Sequence, residues 1–260
     1  MAQVAAAVLP EEVHGPSRAE PGSPLWAGMV GNQELLNDRF PIVSRIYRDV
    51  LGMEPIDVRD RAVATSRAVY ACRAPPLHPF LWQLGRDAVF SLPAPEPLHR
   101  RRKLVYCSRR DSKTTEHPGR LLVNEPAVVA LLQARCEAAA TCDEVVTFNH
   151  RNFNNSVSAI AAFFADAIGL VSPHGGCLTN VNFLPCNAGV VEIMPLAGGV
   201  WGAPTEPHWH MLYIQSVFLE HRYYMLPVPS APATVDDMDV PLDELGDVLD
   251  EILAPAPSVQ

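Results

Sequence analysis

No run of about 18 apolar residues occurs anywhere in the 260-residue chain, so no stretch has the length of a membrane-spanning helix. The first apolar stretch, Val4 to Pro10, is short and lacks the basic flank of a secretory signal. Cysteine is sparse. Cys72, Cys107, Cys136, Cys142, Cys177 and Cys186 are too few for a disulfide scaffold, and no Cys-x-x-Cys pair points to zinc or redox chemistry. Buried free thiols are the expectation, with Cys136–Cys142 the natural single bridge in a secreted chain. Gly-x-Ser-x-Gly, GxxxxGK[ST] and GxGxxG are all missing, which argues against serine hydrolases, P-loop ATPases and standard dinucleotide folds. The 15 glycines show no period, which excludes a collagen-like repeat. After Leu226 there is no Lys or Arg at all. Eight acidic residues there account for nearly the whole net charge of −9, so global acidity says little about the active region.

What is present describes a globular protein. A hydrophobic content of 48% with 19% charged residues is incompatible with disorder over the whole chain, and the length allows one large or two small domains. The 25 prolines gather at 10–24, 75–97 and 227–257, and proline clusters read as extended linkers. Residues 34–51 carry helical spacing interrupted by Pro41, so two helices or a late start are expected. From Leu104 onward strands and helices alternate. Strands are expected at 104–107, 145–148, 168–171, 189–194 and 223–226. Helices are expected at 126–137 with Asn124 as N-cap, and at 156–165, 176–184, 208–219 and 242–252. That alternation predicts an α/β fold with a parallel sheet covered on both faces.

In such sheets ligands bind beyond the carboxyl ends of the strands. Three features fall there. Ser108-Arg109-Arg110 follows the first strand and belongs to a basic cluster running from Arg100 to Arg120; guanidinium groups suit phosphate oxygens. His174-Gly175-Gly176 opens a short helix, where the backbone can approach an anion. Glu192 lies at a strand end, where a carboxylate can accept ribose hydroxyls. Together they describe a nucleotide-diphosphate site. No nucleic-acid-reading motif accompanies the basic cluster. His208-Trp209-His210 has spacing for a strand-borne metal site but is expected in a helix, where residues two apart do not face each other. Asp237-Met238-Asp239 matches the Asp-x-Asp pattern of some sugar transferases, yet sits in a Pro/Asp-rich tail. The triplet Asn154-Asn155-Ser156 is a glycosylation sequon of a kind common by chance.

Val105-Tyr106-Cys107-Ser108-Arg109-Arg110, then Arg120-Leu121-Leu122-Val123-Asn124-Glu125 and an apolar helix, resemble the start of the donor domain in glycosyltransferase family 61. His174-Gly175-Gly176-Cys177-Leu178-Thr179-Asn180, Phe183-Leu184-Pro185 and Val190-Val191-Glu192-Ile193 resemble that family's second block, usually His-Gly-Ala-Gly-Leu-x-Asn. The family includes plant xylan arabinosyl- and xylosyltransferases. It also holds animal enzymes that add N-acetylglucosamine to EGF domains or to protein O-mannose.

The resemblance implies a GT-B architecture and transfer from a nucleotide sugar, with UDP as the expected carrier, to a glycan or protein hydroxyl with inversion. It implies that Arg109 and His174, with the backbone of Gly175 and Gly176, face the diphosphate, and that Arg110 also binds the donor. Asn180 and Glu192 would shape the nucleoside end, and Asn124-Glu125 the nearby helix start. No obligatory metal or other cofactor is expected. Asn37-Asp38-Arg39-Phe40-Pro41 resembles the family's base-bearing stretch, making Asp38 the expected general base. Leu36 and Asn37 stand where the family has a His and an acid. Domains implied are a disordered leader at 1–25, a partial acceptor-side domain and linker at 26–98, a Rossmann-like donor domain at 99–226, and an acidic tail at 227–260. The family implies the Golgi or ER lumen, although no signal or anchor is read in this sequence. Two rivals stand beside this: a non-catalytic nucleotide-sugar or glycan-binding relative, and a metal-dependent hydrolase using His208 and His210.

Overall fold

A computed structural model describes residues 26–29, 41–57, 79–93, 102–110, 120–196, 211–229 and 237–255. The chain divides into two compact units, residues 1–95 with 150–161, and residues 96–149 with 162–260.

In the first unit, strand β1 (Trp26–Met29) pairs in parallel with β2 (Glu54–Asp57). Between them helix α1 (Pro41–Arg45) begins at the proline that interrupts the helical spacing, the late start expected from Pro41. It runs on into one wider π-type turn, Ile46–Val50. Arg48 forms a bidentate pair with Glu54 at 2.7 and 2.8 Å. Residues 79–90, read from their proline content as part of a linker, instead form helix α2 (Pro79–Phe90). The prolines bracket it. Pro79 occupies the first turn, where no intrahelical N–H is needed, and the next proline is Pro93. Trp82 and Val89, seven apart and so on one helical face, are both buried.

The second unit is a five-stranded, wholly parallel sheet in the order β4-β3-β5-β6-β7. Its strands are β3 (Lys103–Tyr106), β4 (Glu144–Thr147), β5 (Ala167–Pro173), β6 (Gly189–Leu196) and β7 (Arg222–Pro229). Every residue of β3 is buried, which is why it reads as a continuous apolar run rather than an alternating one. Lys103 is the exception in chemistry. Its ammonium meets Asp166 at 2.5 Å and lies 4.3 Å from the centre of the Phe163 ring.

Alternation along the strands gives the sheet two faces. Leu104, Tyr106, Val171, Val191, Ile193, Leu226 and Val228 join one core with helices α3 (Glu125–Ala138) and α6 (Leu242–Leu253). The 310 helix Gly176–Phe183 and helix α5 (Met211–Phe218) complete this unit, while helix α4 (Val157–Phe164) is divided between the two units at residue 161. A side chain at Gly189 would overlap Ile252 of α6, and Cβ atoms at Gly169 would crowd Leu104 and Ile252. These two glycines let α6 lie close on the sheet.

The acidic stretch at 237–255 is no appendage. Met238, Val240, Leu245, Leu249, Ile252 and Leu253 are buried in this core. The apolar stripe of α6 supplies most of them, while its acids occupy the other face. Met238 also bridges in parallel to Leu122, with Met238 N–H donating to Leu121 O at 2.8 Å and Val123 N–H to Met238 O at 2.9 Å. Among the described residues no helix is long and apolar enough to cross a membrane.

Candidate functional site

The strand order decides where a site can form. From β3 the chain adds β4 on one side, then returns to add β5 on the other, so the order reverses between β3 and β5. A crevice opens at such a switch point, beyond the carboxyl ends of the strands. Both sequence blocks end there. Cys107 N–H donates to Val171 O at 3.0 Å and His174 N–H donates to Ile193 O at 2.9 Å, so each strand's ladder extends one residue past its end. The residues that follow are therefore launched from fixed backbone.

His174 is held from every side. Its carbonyl oxygen accepts from Arg109 Nη1 at 3.3 Å and from Arg120 Nη1 at 3.1 Å. Two guanidinium groups on one neutral oxygen concentrate positive charge at the crevice. Arg120 itself adopts φ +58°, a left-handed backbone that costs a non-glycine residue free energy. The ring Nδ1 of His174 is hydrogen-bonded to Glu192 Oε1, and Tyr223 O–H donates to Glu192 Oε2. Strand register explains the trio. Glu192 pairs with Ser172, two residues before His174, and with Met225, two residues after Tyr223. Steps of two keep all three side chains on one face of the sheet. Burial and the Glu192 carboxylate both raise the Tyr223 phenol above its usual range, so it remains a donor.

Gly175 has φ +157° and ψ −171°, and a Cβ there would overlap Arg109 Nη1. Glycine at this position is what allows Arg109 to reach over the loop. The 310 helix Gly176–Phe183 starts immediately after it, and a helix start leaves its first N–H groups without intrahelical partners. It is the short helix expected at 176–184. Asn180 lies within it and donates to Cys177 O at 2.8 Å. Cys107 and Cys177, the residues next to the two loops, form a disulfide; Cys136 and Cys142 form another. The expectation of free thiols is thus corrected at four of the six cysteines. Cys186 is exposed and unbridged, and Cys72 lies outside the described residues.

The remaining predicted site residues are engaged in contacts within the fold. Arg110 pairs with Glu125, whose other oxygen accepts from the buried Tyr106 hydroxyl at 2.8 Å. This cluster ties β3 to the start of α3. Asn124 precedes α3 as expected, but its side chain does not cap the helix. Its amide donates to Val240 O at 2.8 Å and its oxygen accepts from Val240 N–H at 3.1 Å, fastening the 237–240 segment instead. Glu192, expected to meet ribose hydroxyls, has no solvent exposure and both oxygens engaged within the protein. Asp237 accepts from Leu121 N–H at 3.0 Å, so the Asp-x-Asp motif belongs to the clasp between these segments. No group of three metal-ligating side chains occurs among the described residues. Asp38, His208 and His210 lie outside them.

The basic cluster also separates. Arg102 pairs with Asp143 at 3.0 Å, Lys103 with Asp166, and Arg110 with Glu125; Arg109 and Arg120 turn to His174. Tyr223 and the Cys107–Cys177 bond were not singled out by the sequence, and Arg120, quoted within a motif block and the basic cluster, was given no site role. The cysteines did carry a signal, since each adjoins a motif that a doubly wound sheet brings to one place. Arg120 carried one as the first residue of a motif block; Tyr223 carried none beyond its residue type.

No curated protein matches the chain. The model of the family described as Glycosyltransferase 61 matches residues 5–191, a span that includes β3, the Arg109 turn and the His174 loop. With that match over most of its length, and with the paired motifs meeting at one crevice, the chain belongs to glycosyltransferase family 61.

Proposed function

We propose that the chain is an inverting, GT-B-type glycosyltransferase that moves a sugar from a UDP donor to a hydroxyl of a glycan or protein, with the β3–β7 unit as its donor half. The observation that carries this reading is the meeting of Arg109, Arg120 and His174 at the switch point between β3 and β5. As the sugar leaves, negative charge grows on the diphosphate. In this reading permanently charged guanidinium groups and the N–H groups at Gly175-Gly176 stabilise it, and the scheme requires no metal ion. Asn180 flanks the same loop and shapes the nucleoside end. Asp38 serves as the base that takes the acceptor proton. Two disulfides suit an oxidising compartment, which supports a reaction in the ER or Golgi lumen.

Calorimetry with UDP tests the site. Losing a charge-assisted contact is worth about 1.5–3 kcal/mol, so Arg109→Ala and His174→Ala should weaken binding roughly 10- to 100-fold. Undiminished affinity in both variants would refute the site. A panel of UDP-sugars in a thermal-shift assay identifies the donor. Asp38→Asn should abolish transfer while sparing donor binding. Leu36 and Asn37, where the family has a His and an acid, favour the second reading, a non-catalytic nucleotide-sugar-binding relative. That reading holds if the unaltered protein binds UDP-sugars but turns none over.

A further inference from the structure

We propose that Tyr223 and Glu192 are positioning residues that hold the His174 ring in its Nδ1–H form and so present Nε2 to the departing diphosphate. The proposal rests on the donor-site reading above and adds to it two residues that act from beneath the loop.

The argument begins with the carboxylate. Glu192 lies in the middle of a parallel sheet with no solvent exposure. A buried carboxylate persists only when its oxygens are satisfied. One accepts from Tyr223 and the other meets His174 Nδ1. The phenol is held in its protonated form by burial and by Glu192, so it can only donate here. An ionised carboxylate can only accept, so Nδ1 must carry the hydrogen. With Nδ1 turned to Glu192, Nε2 is the ring atom on the side away from the carboxylate, and the one we assign to the diphosphate.

The backbone gives this arrangement its precision. His174 is anchored by its own N–H to Ile193 O and by Arg109 and Arg120 at its carbonyl, so the ring has little freedom other than rotation. Glu192 removes that rotation, and Tyr223 fixes Glu192. Tyr223 is seated in turn against Tyr213, with ring centres 5.6 Å apart in an edge-on arrangement. The chain of contacts thus runs from α5 through β7 and β6 to the loop after β5.

Histidine 15N spectra of the free protein test the relay directly, with the His174 signals identified by their loss in His174→Asn. The unaltered protein should show a protonated Nδ1. In Glu192→Gln the amide can donate as well as accept, so a population with hydrogen on Nε2 should appear. Tyr223→Phe keeps the ring and removes only the hydroxyl. It should weaken UDP binding about 3- to 10-fold in calorimetry, and Glu192→Gln by at least as much. An unprotonated Nδ1 in the unaltered protein, or an unmoved tautomer in Glu192→Gln, would overturn the relay. So would unchanged UDP affinity in folded Tyr223→Phe, the variant that decides the matter if Glu192→Gln fails to fold. A protein that binds no UDP at all would defeat the donor reading, and the spectra would still decide the relay.

Discussion

Replacing Gly175 by alanine should separate the site from the fold. A Cβ at this position would overlap Nη1 of Arg109, and the next contact is the same guanidinium's Cζ at 3.4 Å, so nothing rigid stands in the way. The end of a long side chain can swing aside, so steric cost to the fold is small. The remaining cost is backbone, because φ +157° with ψ −171° is territory that residues with a Cβ avoid, worth about 1–3 kcal/mol. Arg109 then loses its bond to His174 O and its place over the loop. One guanidinium lost from a diphosphate removes about 1.5–3 kcal/mol, or roughly 10- to 100-fold in affinity. Urea denaturation should show a modest fall in midpoint with the slope unchanged. Calorimetry should show the large fall in UDP affinity, close to that of Arg109→Ala and not additive with it. If the alanine variant binds UDP as tightly as the unaltered protein, Arg109 does not bind from the position the loop gives it.

Two further outcomes concern stability. The Cys107–Cys177 bond spans 70 residues and Cys136–Cys142 only 6; in the chain-entropy account these are worth about 4 and 2 kcal/mol. The double variant Cys107→Ala/Cys177→Ala should therefore lose more in guanidinium denaturation than Cys136→Ala/Cys142→Ala, and the reverse order would refute that account. Glu125→Ala strands the buried Tyr106 hydroxyl, whose phenol burial and Glu125 together already hold above its usual range. A loss of about 1–3 kcal/mol is expected, nearly all from Tyr106, because Arg110 is largely exposed and its ion pair contributes little. UDP affinity should change far less than in Arg109→Ala, and an equal loss would place the Arg110–Glu125 pair in the site.

Much of the second unit was legible because its elements are buried in simple ways. A strand covered on both faces must be apolar throughout, as Leu104-Val105-Tyr106-Cys107 is. A helix packed on one side must repeat its apolar residues at helical spacing, as Leu245, Leu249 and Ile252 do. The same local logic failed at α2, where proline content suggested a linker although prolines fall only at the helix's ends. In the acidic tail the expected helix at 242–252 forms, and its apolar stripe joins the core; charge counted over all residues says nothing of the one face of α6 that packs.

The sequence by itself determined the alternation of strands and helices, the parallel sheet and the two motif blocks, because each is set by neighbours a few residues apart. Only the tertiary structure decided that the blocks meet. Strand order brings Arg109, Arg120 and His174 together across 54 to 65 residues of chain. Strand register seats Tyr223 and His174 on the two oxygens of Glu192. It also joins Cys107 to Cys177. Order and register are properties of pairs of distant segments, and no local pattern in either segment records its partner.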